Sequence, residues 1–259
     1  MTQNIYDDQD FFQAYAQLPR SLNGLEAAPE WPALRAMLPS VRDRHVLDLG
    51  CGYGWFCRWA RENGAGQVTG VDVSEKMLAR ARTLTNDPAI SYRCADLEAI
   101  RLQATTYALV YSSLTFHYLE NLEALLAGVR AALLPQGKLV FSVEHPIYTA
   151  PLRPCWIEQA PGVKAWPLNR YLLEGARSTD WLAKGVIKQH RTIASYVRLL
   201  LRQGFGLTHL QEWGPSVEQI AAQPALAEEL ERPPFLLIAA EPDLRKVRSK
   251  NRAVAAQPS

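Results

Sequence analysis

The residues best suited to chemistry lie within 46–54, read together with one acid further along, Asp72. Gly50, Gly52 and Gly54 alternate with Cys51 and Tyr53, and Asp48 stands just ahead of them. Without a Cβ, glycine lets main-chain N–H groups approach a ligand closely and tolerates backbone angles that other residues resist. Asp48 would sit near this turn, facing a ligand that carries positive charge. Asp72 follows at about 20 residues, the distance at which a carboxylate reaches a ribose. The spacing departs from the dinucleotide fingerprint, because Trp55 stands where G-x-G-x-x-G needs its third glycine. A nicotinamide dehydrogenase is the weaker reading for that reason.

These residues need strands and helices to hold them. Residues 45–49 are a short apolar run that reads as a buried strand, and a helical pattern opens at Trp55. A strand feeding a glycine turn that opens a helix is how an α/β sheet builds a nucleotide site. Residues 67–72 form a second strand. Ser74 follows as an N-cap, with Met77, Leu78 and Ala81 on one face of the next helix. Residues 90–94 read as a third strand and 107–111 as a fourth, which runs into Ser112-Ser113-Leu114-Thr115-Phe116-His117-Tyr118. A helix over 121–134, stopped by Pro135 and Gly137, leads to a fifth strand at 138–143. Ligands of open α/β sheets bind beyond the carboxyl ends of the strands. Ser112, Ser113, His117 and the Glu144-His145-Pro146 group are all expected at that edge.

Together, residues 46–54, Gly70-Val71-Asp72-Val73-Ser74, Ala95-Asp96-Leu97 and Gly137-Lys138-Leu139 resemble the class I S-adenosylmethionine-dependent methyltransferases of the small-molecule "type 11" kind, over residues 42–143. The resemblance implies a Rossmann-like α/β fold. Its seven-stranded, mostly parallel sheet carries helices on both faces. It also implies S-adenosylmethionine as cofactor, contacted by Asp48, Gly50, Cys51, Gly52, Asp72, Val73, Met77, Ala95, Leu97 and Ser112. In the family, the position of Asp96 accepts a hydrogen bond from the adenine amino group. N-terminal helices of the family lie over the cofactor, so Tyr15 and Arg20 become candidates to meet the methionine carboxylate, which a guanidinium suits bidentately.

The remaining chain supplies covers and edges. Residues 6–18 read as a short helix broken by Pro19-Arg20-Ser21, and 30–38 as a second helix, so that 1–40 would roof the cofactor. Residues 146–175 are rich in proline and aromatic side chains and hold no period, and with a short strand at 181–189 they suggest a lid-like substrate insertion over 146–190. A helix at 192–202 and a final strand pair at 207–213 and 235–240, expected to end the sheet antiparallel, complete one domain over 1–242. The basic stretch 243–259 is expected to be a disordered tail.

Composition narrows the function. The 259 residues, 48% hydrophobic and 21% charged, suit one globular domain with additions. A net charge of +2 offers no broad face for nucleic acid. No apolar run reaches the ~18 residues of a membrane span, and the N-terminus lacks a secretory pattern, so the expected compartment is the cytoplasm. The four cysteines show neither a C-x-x-C pair nor metal-ligand spacing, so no metal is expected. The absence of a cysteine triad also excludes radical chemistry on the same cofactor.

Methyl transfer from a sulfonium is an in-line displacement helped mainly by positioning and dehydration, with a base useful when the acceptor holds its proton tightly. His117, Glu144, His145 and His190 are the titratable candidates for catalysis, each set against a plain structural role. The leading expectation is methylation of a small-molecule acceptor. A nucleic-acid or protein methyltransferase is the alternative, although the Asn/Asp-Pro-Pro-Tyr turn of amino-group nucleic-acid methylases is replaced by Ser112-Ser113-Leu114-Thr115. A non-catalytic cofactor-binding protein is the third reading, and the oligomeric state stays open.

Overall fold

Apolar residues on successive strand positions must face opposite sides of a sheet. Here both sides are covered. The computed structural model describes residues 3–243, and past Asp243 the expected basic tail lies outside them. Its strands are β1 (His45–Leu49), β2 (Gln67–Asp72), β3 (Ile90–Cys94), β4 (Tyr107–Ser113), β5 (Leu133–Glu144), β6 (Ile157–Ala160), β7 (Val163–Ala165), β8 (Gly175–Trp181), β9 (Ala183–His190), β10 (Phe205–Trp213) and β11 (Phe235–Pro242). Its helices are α1 (Gln9–Ala16), α2 (Pro19–Asn23), α3 (Trp31–Met37), α4 (Trp55–Glu62), α5 (Glu75–Thr83), α6 (Leu122–Ala132), α7 (Pro146–Thr149), α8 (Ile193–Arg202) and α9 (Val217–Ala222).

Seven strands form the main sheet in the order β10-β11-β5-β4-β1-β2-β3. β3, β2, β1, β4 and β5 run parallel, and only β11 runs against its neighbours β5 and β10. The alternation is legible strand by strand. Leu47, Val110, Leu139, Phe141 and Ile238 pack on the side of α6 and α8. Val46, Leu109, Tyr111, Val140 and Leu237 pack on the side of α3 and α4. The expected three-layer, mostly parallel architecture is what the chain adopts. Strand order reverses between β1 and β4, and at such a switch point the two flanking connections diverge and leave a crevice.

Several boundaries differ from expectation for local reasons. The first helix ends at Ala16, ahead of Pro19 as expected, but Pro19 also opens a new one. It occupies the first turn of α2, where its missing N–H costs nothing. β5 starts at Leu133, and Leu133 already pairs with Tyr107. The stretch expected to be structureless holds α7 and the hairpin β6–β7, whose β6 is exposed throughout and so shows no burial alternation. The single strand expected at 181–189 is a hairpin, because Trp181 closes β8 and Leu182, at φ 59°, turns the chain into β9. Between β10 and β11 lies α9, opened by a capping box of Ser216 and Gln219.

The N-terminal segment is fastened at two places. Asp7 Oδ1 accepts from Ser74 Oγ at 2.6 Å and from the Lys76 N–H at 3.2 Å, which ties it to the start of α5. Gln3 pairs with β9, donating to the Gly185 carbonyl at 3.0 Å and accepting from the Ile187 N–H at 2.9 Å. Asp8 caps α1 by accepting from the Phe11 N–H, and the Phe11 ring is fully buried.

Phe141 is 0% exposed and lies against Phe116 at 5.0 Å. Phe141→Ala is expected to cost about 3–5 kcal/mol of unfolding free energy, measured by urea denaturation, because the surrounding strands cannot collapse into the void.

Candidate active site

Four parallel strands deliver polar residues to one cavity of about 390 Å³ at their carboxyl ends. From β1 come Asp48 and the glycine turn, from β2 Asp72 and Val73, from β4 Ser113, and from β5 Glu144. Asp96 and Leu97, just past β3, line it as well.

The turn is built on left-handed backbone, with Gly50, Gly52 and Gly54 at φ 79°, 52° and 71°. A Cβ on Gly50 would stand 2.0 Å from Thr115 Oγ1, and one on Gly54 2.1 Å from Tyr92 Oη, so protein packing claims both positions. Nothing lies within 4 Å of the corresponding point on Gly52. Its backbone is therefore the part of the turn that a ligand can approach. Trp55, in place of a third fingerprint glycine, packs its ring against Gly24, where a Cβ would come within 2.5 Å of it.

Asp72 knits this turn to α5. One carboxylate oxygen accepts from the Gly52 N–H at 2.8 Å and the other from the Ser74 N–H at 2.9 Å. Burial raises its pKa, and those N–H groups pull it partly back. Each oxygen keeps lone-pair capacity for a further donor. Asp48 is more deeply enclosed. Burial pushes its pKa up to about 7, opposed by the Cys57 thiol, which donates at 3.4 Å, and reinforced by the charge of Asp72. A carboxyl so placed ionises most readily beside a cation.

Tyr15, Arg20, Cys51 and Met77 also reach the cavity. Arg20 is aimed by Glu30, a wholly buried acid whose two oxygens accept from Nη2 at 2.9 and 3.2 Å. Two expected cofactor contacts fall elsewhere. Ser112 is buried and donates to the Leu49 carbonyl at 2.7 Å, tying β4 to β1, so its neighbour Ser113 takes the rim. Ala95 does not line the cavity; its N–H completes the β2–β3 pairing by donating to the Asp72 carbonyl.

The four titratable candidates separate cleanly. His117 and Glu144 face the cavity, and His145 and His190 do not. His145 caps α7 by accepting the Ile147 N–H at Nδ1, and its Nε2 lies 2.9 Å from Glu212. His190 Nε2 donates to the Tyr171 carbonyl at 2.8 Å, and its Nδ1 lies 2.9 Å from Thr149 Oγ1. With both ring nitrogens engaged away from the cavity, these two histidines hold structure. His117 accepts the Glu144 N–H at Nδ1, 3.3 Å away, and burial drives its pKa down to about 4. It stays neutral at physiological pH with its proton on Nε2, which suits a hydrogen-bond donor better than a base. Glu144 pairs with the buried Lys188 at 2.5 Å through Oε1, and its Oε2 is buried with no partner.

The roof is aromatic. Tyr6 and Trp181 line the cavity, Trp181 packs edge-on against Phe11 at 5.6 Å, and the Tyr6 hydroxyl meets that of Tyr118 at 3.3 Å. Leu114 lines the wall at φ 52°, an uncommon angle for a branched side chain, held by its N–H to the Ser142 carbonyl at 3.0 Å. Tyr6, Glu30, Thr115, Tyr118, Lys188 and Arg232 were not anticipated as site residues. Their placement comes from tertiary contacts that no local motif encodes. Among the described residues no group of three or more His, Cys, Asp or Glu side chains could hold a metal. No helix among them is long and apolar enough to cross a membrane.

Comparison with known proteins agrees with this geometry. Residues 47–141 match the family described as "Methyltransferase domain". Over 254 residues the chain is 32% identical to a protein of Haemophilus influenzae, covering 92% of this chain and 96% of that one. A malonyl-[acyl-carrier protein] O-methyltransferase of Enterobacter lignolyticus is 34% identical over 185 residues, 70% of this chain and 71% of the relative. The crystal structure of an S-adenosylmethionine-dependent methyltransferase from Mesorhizobium loti superposes with a TM-score of 0.82 at 55% identity, covering 84% of this chain and 100% of the other. This chain belongs to the S-adenosylmethionine-dependent methyltransferases, and it is an enzyme that uses S-adenosylmethionine as its cofactor.

Proposed function

We propose that the enzyme methylates a small-molecule acceptor inside the enclosed cavity. The observation that carries this reading is Glu144, which lines a cavity roofed by the N-terminal segment and the β8–β9 hairpin and whose Oε2 is buried without a partner. A nucleic acid or a folded protein surface could not enter so covered a space without displacing that roof. The relative named malonyl-[acyl-carrier protein] O-methyltransferase is named for an acyl group borne by a carrier protein, and an acyl end of that kind is of a size to enter such a cavity.

When bound, S-adenosylmethionine supplies a methyl group already activated on a sulfonium sulfur. The residues present fit it. Gly52 offers open backbone, Asp72 offers lone pairs for ribose hydroxyls, Asp96 lies where the adenine edge is expected, and Val73, Met77 and Leu97 give apolar walls. Asp48 faces positive charge, and Arg20, held by Glu30, meets a carboxylate. In the acceptor half, His117 donates a hydrogen bond and orients, while Glu144 Oε2 receives the proton of an N–H or O–H nucleophile. The Lys188 ammonium at 2.5 Å keeps the Glu144 carboxylate in place. One domain over 1–242 accounts for these contacts, with 1–40 closing the cofactor side and 146–190 covering the acceptor side.

Incubation with tritiated S-adenosylmethionine and a fractionated cell extract is expected to put label in the small-molecule fraction; label confined to protein or nucleic acid defeats the reading. With the acceptor in hand, Glu144→Gln is expected to lower kcat by about 10²-fold or more, while affinity for S-adenosylhomocysteine stays within about twofold. The pKa of Asp48 gives a pH test. Its ionised form attracts the ligand's ammonium group, so protonation on going from pH 8 to pH 6 should weaken S-adenosylhomocysteine binding by about tenfold. In Asp48→Asn the calorimetric affinity should be flat over that range, and equal slopes in the two proteins would refute the assignment.

A further inference from the structure

The end of the cavity away from the glycine turn holds an arginine whose hydrogen bonds are half made. Arg232 is 4% exposed and lines the cavity. Its Nη2 donates to Glu229 Oε2 at 2.8 Å, yet Nε and Nη1 are buried with no partner. Leaving a charged donor buried and unpaired is costly, so a site that keeps two such donors implies a ligand that completes them. The guanidinium is seated on a cup of rings, 4.2 Å from Trp166, 4.4 Å from Tyr148 and 5.2 Å from Trp156. Those contacts hold it in place through its face and leave its N–H edges for recognition.

We infer that Arg232 is the acceptor's anchor, and that the acceptor carries a carboxylate distinct from the atom presented to Glu144. This rests on the small-molecule reading above and names the class of molecule it takes. Charge favours a monoanion. Glu144 pairs with Lys188, and among the described residues both arginines that line the cavity already share their charge, Arg232 with Glu229 and Arg20, 5.8 Å from the Phe235 ring, with Glu30, so a dianionic phosphate would be left unbalanced. A carboxylate that pairs with the free Nη1 donor and the second hydrogen of Nη2 meets one edge of the guanidinium in a two-point contact, which gives both attraction and orientation. The aromatic rings around the anchor suit an apolar or flat body between the carboxylate and the nucleophile.

The test uses the whole enzyme loaded with S-adenosylhomocysteine and titrated by calorimetry with benzoate, succinate and malonate, each against its neutral amide, and with phenyl phosphate. At least one carboxylate is expected to bind tenfold or more tighter than its amide and tighter than phenyl phosphate. Arg232→Met, which keeps apolar contact with the rings, should abolish that preference, and Arg232→Lys should retain only part of it. S-adenosylhomocysteine affinity and Tm serve as controls for folding, and Arg232→Lys carries the comparison alone if Arg232→Met does not fold. Carboxylates binding no better than amides, phosphate binding best, or variants that match wild type would each overturn the assignment. The fate of tritium in the extract experiment decides the small-molecule reading separately. Label in small molecules together with no carboxylate preference would sink the anchor and leave that reading standing.

Discussion

A parallel sheet covered on both faces has nowhere to place polar side chains except at the strand ends. That constraint governs this enzyme. β1, β2, β4 and β5 fill two cores with alternating apolar residues, and every polar group they deliver to the cavity, from Asp48 to Glu144, emerges at the carboxyl edge. Asp72 then turns proximity into rigidity, because one carboxylate bonds the glycine turn and the next helix at once. The same burial that stabilises the sheet tunes the site, raising the pKa of Asp48 and lowering that of His117.

The two halves of the cavity use opposite electrostatic devices. Around the turn, buried acids await a cationic ligand, and Arg20 is the exception, held by Glu30. At the far end, charges come in pairs: Lys188 with Glu144 and Arg232 with Glu229. Pairing limits the cost of desolvation while leaving a single oxygen of Glu144 and two donors of Arg232 without partners.

Much of this was legible in the sequence because it is local. The glycine turn, both acids, the Ser74 cap and the positions of the parallel strands follow from periodicity, spacing and resemblance within residues 42–143. What escaped was long-range. Ser112 and Ser113 are adjacent and chemically identical, and only the register of β4 turns one inward and the other to the cavity. His145 and His190 stand at the ends of strands, as a base would, yet a helix cap and a carbonyl claim their nitrogens. Arg232 escaped for a topological reason. Because β11 runs antiparallel, its beginning lies beside the end of β5, where Phe235 pairs with Glu144, so a residue just ahead of the last strand arrives at the rim. The composition of 146–175 marks a loss of periodicity, but the β6–β7 hairpin within it is not legible, since exposed short strands carry no alternation to read.

The attachment of Gln3 to β9 and of Asp7 to the start of α5 has a mechanical meaning. Five consecutive residues act as a strap buckled at both ends, one buckle on the floor of the donor compartment and the other on the canopy of the acceptor compartment. Lifting that strap would unfasten both compartments together, so five residues tie the canopy of one to the floor of the other.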